Sequence, residues 1–217
     1  MNFLRRNWYY LGGVLFVVLA IALVIFWNDM SMVRKLMWIS FMALLVHQFE
    51  EYAWPGGFPA VMNIAWQPSG GRPDRSPLNR NTSLIVNVFI AYPFYILPII
   101  FPTLIWLGLA QVFFGMAQFG VHGILINKKM HSLYNPGLFA VVFLHWPIGI
   151  YYIWYVTVNH LAGTGDFLIG VIACIAAAIL MFLLPIRLMA NKESKYPFAE
   201  EEVYGFAKAK IEKIRNS

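Results

Sequence analysis

The chain has 217 residues, of which 60% are hydrophobic and only 12% are charged. Soluble domains are about 45–50% apolar and about 25% charged, so this composition excludes an ordinary soluble protein and indicates an integral membrane protein. The formal charge of +6 comes mostly from predicted loops and the tail. We attribute it to membrane orientation and to anionic membrane lipid, not to nucleic acid. The single cysteine, Cys174, excludes an intrachain disulfide and a cysteine-based metal site.

Six apolar segments are long enough to cross a bilayer, which requires roughly 20 residues in a helix. The fold class we predict is therefore all-α, a polytopic transmembrane helical bundle at 1–190. The first apolar run follows Arg5 and Arg6 and is too long for a signal peptide, so we expect it to be retained as a span. The predicted spans lie at about 9–27, 32–54, 83–101, 103–126, 137–161 and 165–189.

The distribution of Lys and Arg predicts the orientation of these spans. If both termini are cytoplasmic, all of the 16 basic residues except Arg34 and Lys35 lie on the inner side, as the positive-inside rule requires. The small size and the lack of a eukaryotic sorting signal favour a prokaryotic inner membrane.

Two segments differ from the spans. The Pro- and Gly-rich stretch at about 55–82 is predicted to be a cytoplasmic loop, and it is either a plain connector or a lid over a binding site. The tail at 191–217 has three glutamates early, at 200–202, and basic residues late. This charge order suits a helix dipole. The positions that recur at helical spacing are Val203, Phe206, Ala207, Lys210/Ile211 and Ile214, and they predict an amphipathic interfacial helix on the cytoplasmic surface.

The second span ends in His47-Gln48-Phe49-Glu50-Glu51. Residues three and four apart share one face of a helix, so His47, Glu50 and Glu51 are expected to point in one direction. Each ionisable side chain at membrane depth costs roughly 2.5–3.5 kcal/mol on insertion scales and normally faces the bundle interior. We therefore expect polar partners from other spans, although a wetted cap at the helix end is an alternative.

In the predicted topology, further polar side chains fall in the same cytoplasmic half of the bundle. Among the histidines only His160 lies at the outer end. Polar residues that were merely tolerated would scatter over both leaflets, so this clustering predicts a polar site walled by spans two to five. Its further members are Asn87, Gln118, His122, Asn127, His131, Asn135 and His145.

Histidine and carboxylate side chains are the usual ligands of zinc, manganese and non-haem iron. We predict that His47, Glu51 and His122 hold a divalent metal ion (Zn, Fe or Mn), and that Glu50 is the general base. Glu50 and Glu51 could exchange these roles. His131 is predicted to be a proton shuttle or a fourth ligand. The amides expected to bind substrate are Asn87, Gln118, Asn127 and Asn135.

The string His47-x-x-Glu50-Glu51, with the later His122 and the segment Asn135-Pro136-Gly137, resembles the HXXEE-domain family of membrane proteins. This resemblance covers about 40–160 and implies that His47, Glu50 and Glu51 form an active site, without naming a reaction. A looser similarity links the Glu-Glu pair to CAAX-protease-like intramembrane enzymes. The chain departs from that pattern, because Pro55 stands where those enzymes have an arginine.

Three functions are compatible with this pattern. The first is a metal-dependent hydrolase that acts on a lipid-like or prenylated, membrane-embedded substrate. The second is a proton- or cation-coupled transporter, which needs a polar path to the outer side. The third is a non-catalytic protein that binds a lipid head group.

Overall fold

A computed structural model describes residues 1–68, 72–205 and 208 of the chain. Throughout this part all regular secondary structure is helical, which confirms the predicted all-α class. Several helices contain a wider π-helical turn, a feature that is frequent at functional sites. The helices are α1 (Asn2–Ile25), α2 (Met32–Tyr52), α3 (Phe58–Ala60, continued by a π-turn at Val61–Trp66), α4 (Arg80–Ile100), α5 (Ile105–Met130), α6 (Leu138–Val158), α7 (Thr164–Met189) and α8 (Glu200–Tyr204).

Five helices (α1, α4, α5, α6 and α7) are long and apolar enough to cross a membrane. The shortest have 21 residues, or about 31 Å at 1.5 Å per residue. The second predicted span coincides with α2, which also has 21 residues but carries Arg34, Lys35, Glu50 and Glu51 and is therefore less apolar.

Capping residues explain where the helices begin. The Ser31 hydroxyl accepts a hydrogen bond from the Arg34 amide at 3.3 Å, so α2 begins directly after Ser31. The Asn79 side chain accepts from the amides of Asn81 and Thr82 at 3.0 and 3.1 Å, so α4 begins at Arg80. Such side chains satisfy amides that have no partner inside the helix.

Helix α2 lies at the centre of the bundle. It packs against α1, α4 and α6, while α5 packs between α6 and α7. The outer helices α1 and α7 expose apolar side chains such as Val24, Ile172 and Leu188, as expected for lipid-facing surfaces. Because α2 is surrounded by other helices, its polar residues His47 and Glu51 are inside the protein.

The predicted loop at 55–82 is partly folded. Helix α3 and its π-turn are largely buried, and the Asn63 side chain fixes the segment that follows. The Asn63 amide donates to the carbonyls of Pro73 and Leu78, and its oxygen accepts from the Leu78 amide, each at 2.8 Å. These hydrogen bonds hold the later part of the loop against the π-turn of α3.

The segment before α8 runs along this loop. The Phe198 amide donates to the Asp74 carbonyl at 2.8 Å, and the Arg80 amide donates to the Tyr196 carbonyl at 3.1 Å. Of the predicted amphipathic tail helix the structure describes α8 and residue 208, and Val203 is buried. The other predicted positions (Phe206, Ala207, Lys210, Ile211 and Ile214) lie outside the described residues.

Candidate metal centre

Helix α2 positions His47 and Glu51 one turn apart on its buried face. The His47 ring is 3% exposed, and its Nδ1 lies 3.0 Å from the carbonyl oxygen of Gly137. A carbonyl only accepts hydrogen bonds, so Nδ1 carries the proton and donates. The Nε2 atom of the neutral ring then has a free lone pair, and it lies 3.5 Å from Oε1 of Glu51.

Helix α5 contributes His122 from the π-turn Gly120–Ile126. Its Nδ1 lies 2.7 Å from Oδ1 of Asn135. The Asn135 amide nitrogen donates to the His122 carbonyl and to Oδ1 of Asn127, both at 2.7 Å, and this fixes which end of the Asn135 amide is the acceptor. His122 therefore donates through Nδ1, and its Nε2 faces Oε1 of Glu51 at 3.5 Å.

Three acceptor atoms thus converge within 4.8 Å of one another: the Nε2 atoms of His47 and His122 and a carboxylate oxygen of Glu51. A separation of 3.5 Å is longer than a usual hydrogen bond. Two ligands about 2.0–2.2 Å from one tetrahedral ion lie about 3.3–3.6 Å apart, so the observed distances fit a shared cation. Both histidines also have the acceptor on Nδ1 that orients metal-binding imidazoles. The residues fit a His₂-carboxylate centre.

Glu50 serves a different part of the structure. Its Oε1 accepts from the Tyr134 hydroxyl at 2.9 Å and from the Phe139 amide at 3.1 Å, and its Oε2 accepts from the Ala140 amide at 2.9 Å. These amides belong to the first turn of α6, where a carboxylate is stabilised by the helix dipole. Burial, followed by the charge of Glu50, raises the pKa of Tyr134, so this phenol remains a donor.

The match to known families covers the same residues. The family described as "Protein of unknown function with HXXEE motif" matches residues 38–152, and this range contains His47, Glu50, Glu51, His122 and Asn135. The chain belongs to the HXXEE family. The comparisons with curated proteins and with solved structures gave no match.

The HXXEE motif and the Asn135-Pro136-Gly137 turn are directly coupled in space. Gly137 has φ +101°, a conformation that side-chain-bearing residues rarely adopt. A Cβ atom at Gly137 would lie 2.6 Å from the Cε1 atom of His122 and 2.8 Å from that of His47. The turn therefore provides a hydrogen-bond acceptor for each histidine. The absence of a side chain at Gly137 leaves room for the two rings to pack together.

The other predicted site residues are not all in this cluster. Asn87 accepts from Gln48 at 3.2 Å and, with the buried Gln118, lines a cavity beside His47. Asn127 accepts a hydrogen bond from the Asn135 amide nitrogen, and Asn135 accepts one from the Nδ1 of His122. His131 is exposed and ends its helix with φ 47°, outside the group of converging ligand atoms. The predicted catalytic roles of Glu50 and His131 remain predictions.

Sequence reasoning placed His145 in the polar site but missed two other buried polar residues, Tyr95 and Gln111. The His145 ring lies 5.8 Å from the His47 ring and 6.4 Å from the Tyr95 ring, measured between centroids. Within the described residues, the His145 Nε2, the Tyr95 hydroxyl and both polar atoms of the buried Gln111 have no hydrogen-bond partner. The proximity of Tyr95 and His145 depends on how α4 and α6 pack and could not be predicted from local patterns.

Proposed function

We propose that this HXXEE protein is a metal-dependent membrane enzyme, and specifically a hydrolase that acts on a lipid-like substrate. The observation that carries the proposal is the convergence of the Nε2 atoms of His47 and His122 on Oε1 of Glu51, each at 3.5 Å. Without a cation, these three buried acceptors would need a proton on Glu51 or on one of the imidazoles, because unpaired acceptors that face one another are costly in an apolar interior.

The cavity beside His47 and Glu51 is small and mainly apolar. Its volume is about 60 Å³, and His47 and Glu51 form part of its wall. Pockets for small molecules are mainly apolar with a few polar groups, and it is this lining that favours a lipid-like substrate. The apolar part of the wall comes from α2, α3, α4, α5 and α7, and includes Leu44, Phe58, Met62, Val86, Phe114 and Phe182.

The polar groups of the cavity suggest how a substrate would be oriented. Gln118 and Asn87 lie in the wall with Glu51, so we assign them to the polar end of the substrate. Phe58 stacks on the His122 ring with centroids 5.6 Å apart and closes the site on the side of the loop. In this arrangement the hydrocarbon part lies along the apolar wall and the bond to be cleaved lies beside Glu51.

A divalent ion bound here would polarise a carbonyl and lower the pKa of a water molecule. The protein's own contribution is to keep the acceptor atoms in place: Gly137 and Asn135 fix the two imidazoles, and Glu50 fixes the start of α6. We place the site at the cytoplasmic face on the basis of the Lys and Arg distribution. The small size of the chain and the lack of a eukaryotic sorting signal lead us to propose a prokaryotic inner membrane.

Metal analysis by mass spectrometry of the detergent-purified protein tests the proposal. We expect one zinc, iron or manganese ion per chain in the wild type and less than a tenth of this in His47→Ala and His122→Ala. His160→Ala is the matched control, because His160 lies in the turn between α6 and α7 and is exposed. A folded wild type that binds none of the three metals would contradict the proposal. Ester and amide lipids are then screened for metal-dependent cleavage.

Buried polar residues outside the metal ligands favour a second candidate, a proton- or cation-coupled carrier. His145 and Tyr95 extend the polar interior beyond His47, and Gln111 adds two buried polar atoms without a partner on α5. Ionisable groups at membrane depth often mark ion paths. Proton uptake into proteoliposomes distinguishes the two candidates. A carrier shows uptake that Gln111→Leu and Glu51→Gln abolish, whereas the enzyme shows none.

A further inference from the structure

A basic pocket lies at the same end of the bundle, away from the metal ligands. It is formed by the first turns of α1 and α4 and by the segment before α8, and it contains about 650 Å³ of empty space. Four cationic side chains line it: Arg5, Arg6, Arg80 and Lys195. This concentration of charge in one concave surface raises the local preference for an anion.

One acidic side chain partly neutralises these cations. Glu202 forms a short ion pair with Arg80 and accepts from the Tyr9 hydroxyl at 3.1 Å. In the part of the chain that the structure describes, Arg6 and Lys195 form no ion pair, and the buried Nε of Arg80 has no hydrogen-bond partner. The pocket therefore keeps a net positive charge and an unused buried donor.

Arg5 is already positioned by the protein. Its Nε donates to Oδ1 of Asn81 at 2.8 Å, and its guanidinium lies 4.2 Å from the centroid of the Tyr196 ring. An arginine that is fixed in this way loses little conformational freedom when it binds a phosphate group. The pocket is thus partly preorganised for an oxyanion.

A separate apolar groove begins at Tyr10, one helical turn after Arg6 on α1. Residues four apart on a helix share a face, so Arg6, Tyr10 and Val14 form one stripe. Tyr10 and Val14 line a groove between α1 and α2, which contains about 790 Å³ of empty space. The opposite wall consists of Leu45, Val46 and Phe49. A molecule with a phosphate beside Arg6 would have hydrocarbon below it.

We propose that the pocket and the groove together bind one anionic phospholipid, with its phosphate between Arg6, Arg80 and Lys195 and an acyl chain in the α1–α2 groove. The cations lie where the apolar parts of α1 and α4 begin, which is the depth of the lipid phosphates. Basic pockets between transmembrane helices are known to bind anionic head groups. The site is independent of the metal centre, and the bound lipid is a structural ligand rather than the substrate.

Native mass spectrometry of the detergent-purified protein with added lipid tests this site. We expect phosphatidylglycerol to bind at least tenfold more tightly than phosphatidylcholine. The double variant Arg6→Ala/Lys195→Ala should lose about tenfold or more of this affinity. The control Lys128→Ala/Arg187→Ala removes the same charge from exposed positions of α5 and α7 and should bind as the wild type does.

Two further experiments distinguish binding of the whole lipid from binding of a free anion. Val14→Trp fills the groove and should weaken phosphatidylglycerol binding without changing the basic residues. Inorganic phosphate at millimolar concentration should not displace the lipid. Equal phosphatidylglycerol binding by the wild type and the Arg6→Ala/Lys195→Ala variant would overturn the proposal. It would also be overturned if inorganic phosphate displaced the lipid or if Val14→Trp had no effect, because the site would then bind only the anion.

Discussion

Glu50 and Glu51 are adjacent in the sequence, but their carboxylates belong to different parts of the structure. Glu51 lies between the imidazoles of His47 and His122 with its Oε1 3.5 Å from each Nε2. Glu50 accepts three hydrogen bonds, from Tyr134 and from the first amides of α6. The motif therefore joins one candidate metal ligand, Glu51, to one carboxylate, Glu50, that holds the first turn of α6.

Substituting each glutamate by glutamine separates these roles. Glu50→Gln places an NH₂ group among three donors, and we expect the free energy of unfolding to fall by about 1–3 kcal/mol. Glu51→Gln should lose bound metal but keep its stability in the presence of a chelator. Thermal unfolding in detergent with EDTA, together with metal analysis, measures both effects. A Glu50→Gln protein of unchanged stability that had lost its activity would instead support the predicted role of Glu50 as general base.

The sequence predicted the long helices and the His47–Glu51 pair well, because both depend on local periodicity. Spacing of three and four residues also placed Glu50 on this face, but it could not indicate which backbone amides would face it. That partner is the start of α6, some 90 residues away. His131 was predicted to join the site because it follows α5 closely. The helix ends at His131 in a left-handed conformation, and its side chain is exposed.

The position of α3 also could not be predicted from local patterns. The sequence analysis predicted only a cytoplasmic loop here, as a connector or a lid, and the structure shows a largely buried helix with Phe58 on the His122 ring. Phe58 contacts the nearby Tyr52, and α3 packs against α8, which is distant in the sequence. The sequence therefore predicted the long helices, but it could not predict α3 or the places where distant segments meet.

Asn63 should control how firmly the loop covers the site. Asn63→Ala removes three hydrogen bonds of 2.8 Å to Pro73 and Leu78 and leaves buried backbone groups without partners. We expect trypsin to cleave after Arg75 several times faster than in the wild type, as followed by gel electrophoresis over time. Asn191→Ala is the control, because Asn191 is exposed and its side chain accepts only from Glu193. Equal cleavage rates in both variants would contradict this role of Asn63.

Gly137 should be essential for metal binding. Alanine at this position is strained at φ +101°, and its Cβ would lie within 3 Å of both histidine rings. We expect Gly137→Ala to separate His47 from His122 and to lower the affinity for zinc by about 10–100-fold, as measured by competition with a chelating dye. Gly120→Ala is the matched control, because a Cβ there has no neighbour within 4 Å. Equal zinc affinity in Gly137→Ala and Gly120→Ala would show that metal binding by the two histidines does not depend on this turn.

Asn135 should set the tautomer of His122 without binding the metal itself. In Asn135→Ala the Nδ1 of His122 loses its acceptor, and the proton can move to Nε2, where it blocks ligation. We expect zinc affinity to fall by about 10–100-fold. Asn159→Ala is the control, because Asn159 is exposed and its side chain bonds only to the Tyr155 carbonyl, and it should match the wild type.

Asn135→Asp keeps an acceptor for Nδ1 of His122 and should recover a large part of the zinc affinity. Recovery in the aspartate variant would distinguish this orienting role from a general loss of folding, since Asp cannot donate to the His122 carbonyl or to Asn127. A fall in affinity that Asn135→Asp does not reverse would show that these donated hydrogen bonds are the essential ones.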